Sequence, residues 1–141
     1  MYVLPLFLDR ILILALFQTV VDIILRSNPN NPPHPVHKHG TPAYIIGQGA
    51  GEFTWSTVAD AIAASPTSLN LVDPPLRDGF VTPTYFDWTV IRYRAPVGTI
   101  TFMHCHINLY AFGGMAVVLL EGADRLPPIP DGYLEFQYRT A

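Results

Sequence analysis

All five histidines of this 141-residue chain fall into two short runs. The first is His34-Pro35-Val36-His37-Lys38-His39-Gly40. The second is His104-Cys105-His106, which also holds the only cysteine. Side chains of an extended strand alternate between two faces. A strand over Thr99–His106 therefore sends His104 and His106 one way and Cys105 the other. His37 and His39 share a parity that His34 does not. His34 can join Cys105, and His37 and His39 can join His104 and His106, so that one short segment serves two sites back to back. A lone cysteine is commonly a small buried hydrophobe, but one set between two histidines reads as a ligand. Met115 by itself reads as core as readily as ligand.

The residue types suit that split. A thiolate with imidazole and a weak axial thioether is a blue-copper electron-transfer set, and imidazole-only ligation suits copper, zinc or iron, with copper favoured by affinity order. The backbone from Cys105 to either flanking histidine is a short covalent route for an electron. A cupin-type site, which His37-x-His39 also opens, wants a glutamate a few positions on; Ala43, Tyr44 and Ile45 stand there instead. A single structural zinc site is chemically open, but the parity of the ligands points to two sites rather than one tetrahedron.

His-Pro-x-His-x-His-Gly at His34–Gly40, with His104-Cys105-His106-Ile107 and Gly113-Gly114-Met115, resembles the C-terminal cupredoxin domain of fungal laccase-like multicopper oxidases. Lys38-His39-Gly40, Ala43–Gly47 and Pro74–Asp78 extend the resemblance across Val20–Gly122. It implies an all-β, cupredoxin-like Greek-key β-sandwich with copper as cofactor. It implies that His34 and Cys105 ligate a type 1 copper with Met115 axial, that His37 ligates a type 2 copper, and that His39, His104 and His106 ligate a type 3 pair. In such enzymes electrons from a phenolic substrate pass from the type 1 copper to the trinuclear cluster, where dioxygen becomes water. The resemblance also implies a secreted protein, although no Asn-x-Ser/Thr acceptor is present.

Two departures from the family pattern bear on function. Tyr110 stands where the family has the second type 1 histidine, and a neutral phenol is a poor ligand; an impaired or altered type 1 site is expected. The family's trinuclear cluster also draws about half its histidines from N-terminal cupredoxin domains, and this chain has no further histidine. The leading expectation is a copper-binding portion of an oxidase that needs N-terminal domains, of the same or another chain, to be active. The alternatives are a degenerate, non-catalytic copper-binding or interaction domain, and a stand-alone one-copper electron carrier, against which the unused imidazoles count.

The rest of the chain fits one domain. Hydrophobic residues make up 50% and charged residues 13%, the latter well below the usual ~25%. A net charge of −3 with no basic cluster argues against a nucleic-acid partner. Residues 1–19 form an apolar leader of unassigned status, interrupted by Pro5, Asp9, Arg10 and Gln18. That makes it a poor membrane span and a poor signal peptide. Residues 20–125 are the copper-binding domain and 126–141 a proline-rich tail. Strands are expected at Val20–Arg26, Ala43–Gly47, Asp87–Ala95, Thr99–His106 and Ala116–Glu121. Ser56–Ala64 reads as a helical insertion covering one side of the sandwich, capped by Ser56 or Thr54 and stopped by Pro66. Gly47, Gly49 and Gly51 read as a flexible turn, Ser27–Pro33 as a turn-rich loop and Ser65–Thr84 as mostly loop. Arg77 and Asp78 read as a loop ion pair or turn, and Trp55 and Trp88 as core aromatics. A sandwich lacking its first strands would carry an exposed edge.

Overall fold

The computed structural model describes residues 2–4 (backbone only), 12–27, 32–82 and 87–133. The expectations for Pro5, Asp9 and Arg10, for the middle of the Ser27–Pro33 loop, for Pro83 and Thr84, and for the last residues of the tail lie outside these. The strands are β1 (Tyr2–Leu4), β2 (Leu12–Ala15), β3 (Val20–Arg26), β4 (Pro35–Lys38), β5 (Ala43–Gly49), β6 (Leu76–Arg77), β7 (Gly79–Val81), β8 (Trp88–Arg94), β9 (Thr99–Cys105) and β10 (Ala116–Glu121). Two short helices, α1 (Val58–Ala64) and α2 (Asn108–Phe112), and a 3-10 turn at Ala123–Arg125 complete the described elements.

The strands form two five-stranded sheets, in the orders β1-β3-β8-β5-β6 and β2-β10-β9-β4-β7. The all-β sandwich expected from the sequence is what the chain forms, and two of its strand pairs are parallel. β1 runs parallel to β3, and β2 runs parallel to β10 in the register Leu12↔Val118 to Ala15↔Glu121. β2 has a plain physical cause. Its alternation puts Ile13 and Ala15 into the core and leaves Leu12 and Leu14 outside.

Between the sheets lies a core of Ile13, Val21, Ile23, Leu25, Val36, Phe80, Ile91, Tyr93, Met103, Val117 and Leu119. Each fully buried aliphatic side chain contributes about 1.5–3 kcal/mol relative to exposure. β3 and β8 lack clean alternation because part of their sheet is covered on both faces. Ile24, Trp88 and Val90 point away from the sandwich core into a second cluster with Ile46, Phe53, Val58, Ala61 and Leu69. Helix α1 supplies Val58 and Ala61 to that cluster, so it covers one side of the sandwich. Trp88 is buried and Trp55 partly so.

Three local expectations are corrected. The cap of α1 is Thr57, whose side chain accepts from the Asp60 N–H at 3.0 Å; Ser56 and Thr54 do not serve. Gly47 and Gly49 are not turn residues but lie in β5, paired with Val90 and Trp88 after a β-bulge between Ile45 and Gly47. A side chain at Gly49 would run into the Trp88 indole, so glycine is needed there for close packing. As far as it is described, the Ser65–Thr84 stretch is mostly loop, as expected, and holds the short β6 and β7. β9 ends at Cys105 rather than His106. Among the described residues no helix is long and apolar enough to cross a membrane.

Candidate metal centre

The pairing of β4 with β9 builds the site. Val36 faces Cys105, His37 faces His104 and Lys38 faces Met103. The register puts Val36, Lys38, Met103 and Cys105 on the inner, buried face of the sheet. His37 and His104 then lie on the outer face. His39 continues past the end of β4, held by its N–H to the Phe102 carbonyl at 2.8 Å, and His106 is held by its N–H to the Pro35 carbonyl at 2.7 Å.

On the outer face four imidazoles meet. His37 lies 4.8 Å from His39, 5.9 Å from His104 and 5.9 Å from His106, centroid to centroid, and His104 stacks on His106 at 5.7 Å. The closest approach is Nε2 of His39 to Nε2 of His104, 3.0 Å. Two nitrogens about 2.0–2.1 Å from one ion sit about 2.9–3.3 Å apart, so this pair has the spacing of two ligands to a single ion. The other ring nitrogens are occupied in the manner of metal-site histidines. His104 Nδ1 contacts the Cys105 carbonyl at 2.8 Å and His37 Nδ1 contacts the Asp78 carbonyl at 3.1 Å, which makes Nε2 of each ring the nitrogen that could bind a metal. Burial first, and then the neighbouring His37, His104 and His106, hold His39 below the ordinary histidine pKa, so its ring is neutral and ready to donate a lone pair at neutral pH.

On the inner face the thiol is fully buried and His34 nearly so. Cys105 Sγ lies 3.7 Å from His34 Nδ1. Metal bonds of about 2.3 Å to sulfur and 2.0–2.1 Å to nitrogen place such a pair about 3.6–3.8 Å apart. His34 Nε2 is buried without a hydrogen-bond partner, and burial holds its pKa below the ordinary value. The Cys105 N–H donates to the Met115 carbonyl at 2.9 Å, which sets the Met115 main chain beside that of Cys105. Tyr110 packs edge-on against the His34 ring, 4.5 Å between centroids. His34, Cys105 and Tyr110 thus gather on the inner side, and His37, His39, His104 and His106 on the outer. Among the described residues, however, no three His, Cys, Asp or Glu side chains converge to make a metal site.

A profile of the multicopper oxidases matches residues 6–125. The chain belongs to the multicopper oxidase family. It is 40% identical over 121 residues to the multicopper oxidase elcG of Phaeosphaeria nodorum, covering 82% of this chain and 19% of that protein. It is 45% identical over 116 residues to a laccase of Pestalotiopsis fici, covering 79% of this chain and 20% of that protein. Its structure matches that of the laccase from Botrytis aclada with a TM-score of 0.68 and 26% identity, over 84% of this chain and 21% of that one. The sandwich is thus cupredoxin-like and its family binds copper. This multicopper oxidase chain spans about a fifth of the length of those relatives.

Sequence reasoning passed over two contributors to the site. Asp78, read as a loop ion pair or turn, instead offers its carbonyl to His37 and to the Lys38 N–H (2.8 Å), while Arg77 turns to the Leu76 carbonyl. Lys38 was given no part, yet it is wholly buried and ion-paired with buried Glu121, Nζ to Oε1 2.9 Å. Its signal was present: once His37 and His39 face outward, the residue between them must face the core.

Proposed function

We propose that this chain is the portion of a laccase-type oxidase that couples one-electron oxidation of phenolic compounds to reduction of dioxygen to water. The observation that supports it best is β9 itself. It offers a buried thiol to His34 on one face and His104 to His39 on the other. His34, Cys105 and Met115 would hold a type 1 copper, His37 a type 2 copper, and His39, His104 and His106 the type 3 pair. Copper bound there supplies one-electron redox chemistry.

The chain's own residues do the rest. The sandwich core keeps water from Cys105 and His34. The Asp78 and Cys105 carbonyls fix the His37 and His104 rings so that each presents Nε2. The peptide units joining Cys105 to His104 and His106 give the electron a covalent path from one face to the other. Four imidazoles without a converging triad call for ligands from elsewhere, and N-terminal cupredoxin domains would supply them. A secreted location accords with the laccase relatives.

The test is copper loading of the full chain, with metal content, visible spectrum and oxygen uptake recorded. Copper binding without phenol-dependent oxygen uptake is expected. Phenol oxidation with oxygen uptake by the chain alone would defeat the shared-cluster reading. One observation favours a second reading, a degenerate copper-binding or interaction domain: Tyr110 sits edge-on to His34, where a second imidazole ligand is expected. Failure of the wild-type chain to bind copper at all would favour it.

A further inference from the structure

We infer that the buried Lys38–Glu121 pair is a positioning device that fixes the His39 imidazole against His104. The inference rests on the metal-site reading above and adds residues that touch no metal. The pair spans the inner face of the sheet from the end of β4 to the end of β10, beneath β9. Lys38 and Glu121 are 0% and 1% exposed. The ammonium lies 2.9 Å from Glu121 Oε1 and 4.2 Å from the centre of the Tyr93 ring. Glu121 Oε2 accepts from the Thr101 hydroxyl on β9 at 2.8 Å.

The remaining contacts of the ammonium give the pair its purpose. Lys38 Nζ donates to the Thr41 carbonyl at 2.9 Å and approaches the His39 carbonyl at 3.4 Å. These two carbonyls flank Gly40, whose φ of 77° lets the chain reverse direction directly after His39. The same turn brings the backbone close over β9: a Cβ at Gly40 would lie 2.9 Å from Thr101 Cγ2. His39 lies beyond the last paired residue of β4. Besides its own N–H to Phe102, the segment carrying it is tied down by the lysine from below. A buried ion pair is seldom the most stable filling for a core, because desolvation offsets the attraction, whereas its directed bonds can fix one geometry. Here those bonds reach the main chain of a proposed ligand.

The test separates that role from simple stability. Lys38→Met or Glu121→Leu alone strands a buried charge, so the informative protein is the double variant, which removes both. It should fold and melt at or above the wild-type temperature. It should also lose the through-space NMR contact between the His39 and His104 rings, measured without metal, and bind copper(II) about tenfold more weakly, as changes behind ligands commonly do. Thr101→Val, which frees Glu121 Oε2 without touching either charge, should loosen the ring contact to a smaller degree and serves if the double variant does not fold. A double variant, or failing that Thr101→Val, with wild-type ring contact and copper affinity overturns the inference. Copper affinity that is the same in wild type and in His39→Ala removes His39 as a ligand and so defeats the underlying reading instead.

Discussion

At the scale of single residues, Tyr110 has the most to say. Its phenol ring packs perpendicular to the His34 ring, 4.5 Å between centroids, next to a thiol that has only one imidazole close by. An imidazole at that position would complete two nitrogens and one sulfur, the set that gives blue copper its strong charge-transfer band. Copper-loaded wild type is expected to show that band weakly or not at all, and Tyr110→His to gain it; an unchanged visible spectrum would count against the placement of Tyr110. Protonation supplies a second expectation. His34 is held low by burial, and His39 by burial and then by its three neighbours. A histidine depressed in the folded state disfavours folding once it must take a proton. The stability it lends is present above about pH 6.5 and falls as acid is added below that. Copper at the imidazole pair should leave in the same direction, since only neutral rings bind. Melting temperature and bound copper, followed from pH 8 down to about pH 5, check both trends.

At the scale of elements, β5 and α1 lean on one aromatic residue. Gly49 exists to admit the Trp88 indole, so Gly49→Ala is expected to lose about 1–3 kcal/mol by overpacking. Thr57→Ala should cost about 1 kcal/mol through the lost cap. Urea unfolding of both variants measures these values, and a Gly49→Ala protein as stable as wild type would show that the indole contact is looser than it looks. The elements also show what a reader of the sequence could see. The division of His37, His104 and Cys105 between two faces was legible because a strand's period is two and nothing in a packed sheet relaxes it. β3, β8 and β10 were legible from their β-branched runs. β2, β6 and β7 were not, because strands of two to four residues take their conformation from a neighbour rather than from their own composition. Gly47 and Gly49 misled for a related reason: two glycines read as freedom, and only the distant Leu69 and Trp88 explain why glycine stands there within a strand. The Lys38–Glu121 pair joins strands far apart in sequence, and no local pattern names its partner.

At the scale of the whole molecule, the outer surface of the β2-β10-β9-β4-β7 sheet is unusually apolar for a face in contact with water. Leu12 is 48%, Ile100 66% and Phe102 40% exposed, beside the four imidazoles. Exposed apolar patches of this kind favour association. The full chain should self-associate as its concentration rises, and Leu12→Lys with Ile100→Lys should suppress this while leaving the melting temperature nearly unchanged. Sedimentation at several concentrations tests it, and identical profiles for variant and wild type would locate the sticky surface elsewhere.

The β4–β9 register ties two chemistries to a single alignment. A point change can damage the sulfur side or the imidazole side separately. Inserting or deleting one codon inside β9 ahead of His104 would do neither; it would turn Cys105 outward and His104 inward together, away from His34 and His39, and spoil both sides in one step. Lineages of this domain should therefore tolerate length changes in the loops beyond these strands and almost none within them.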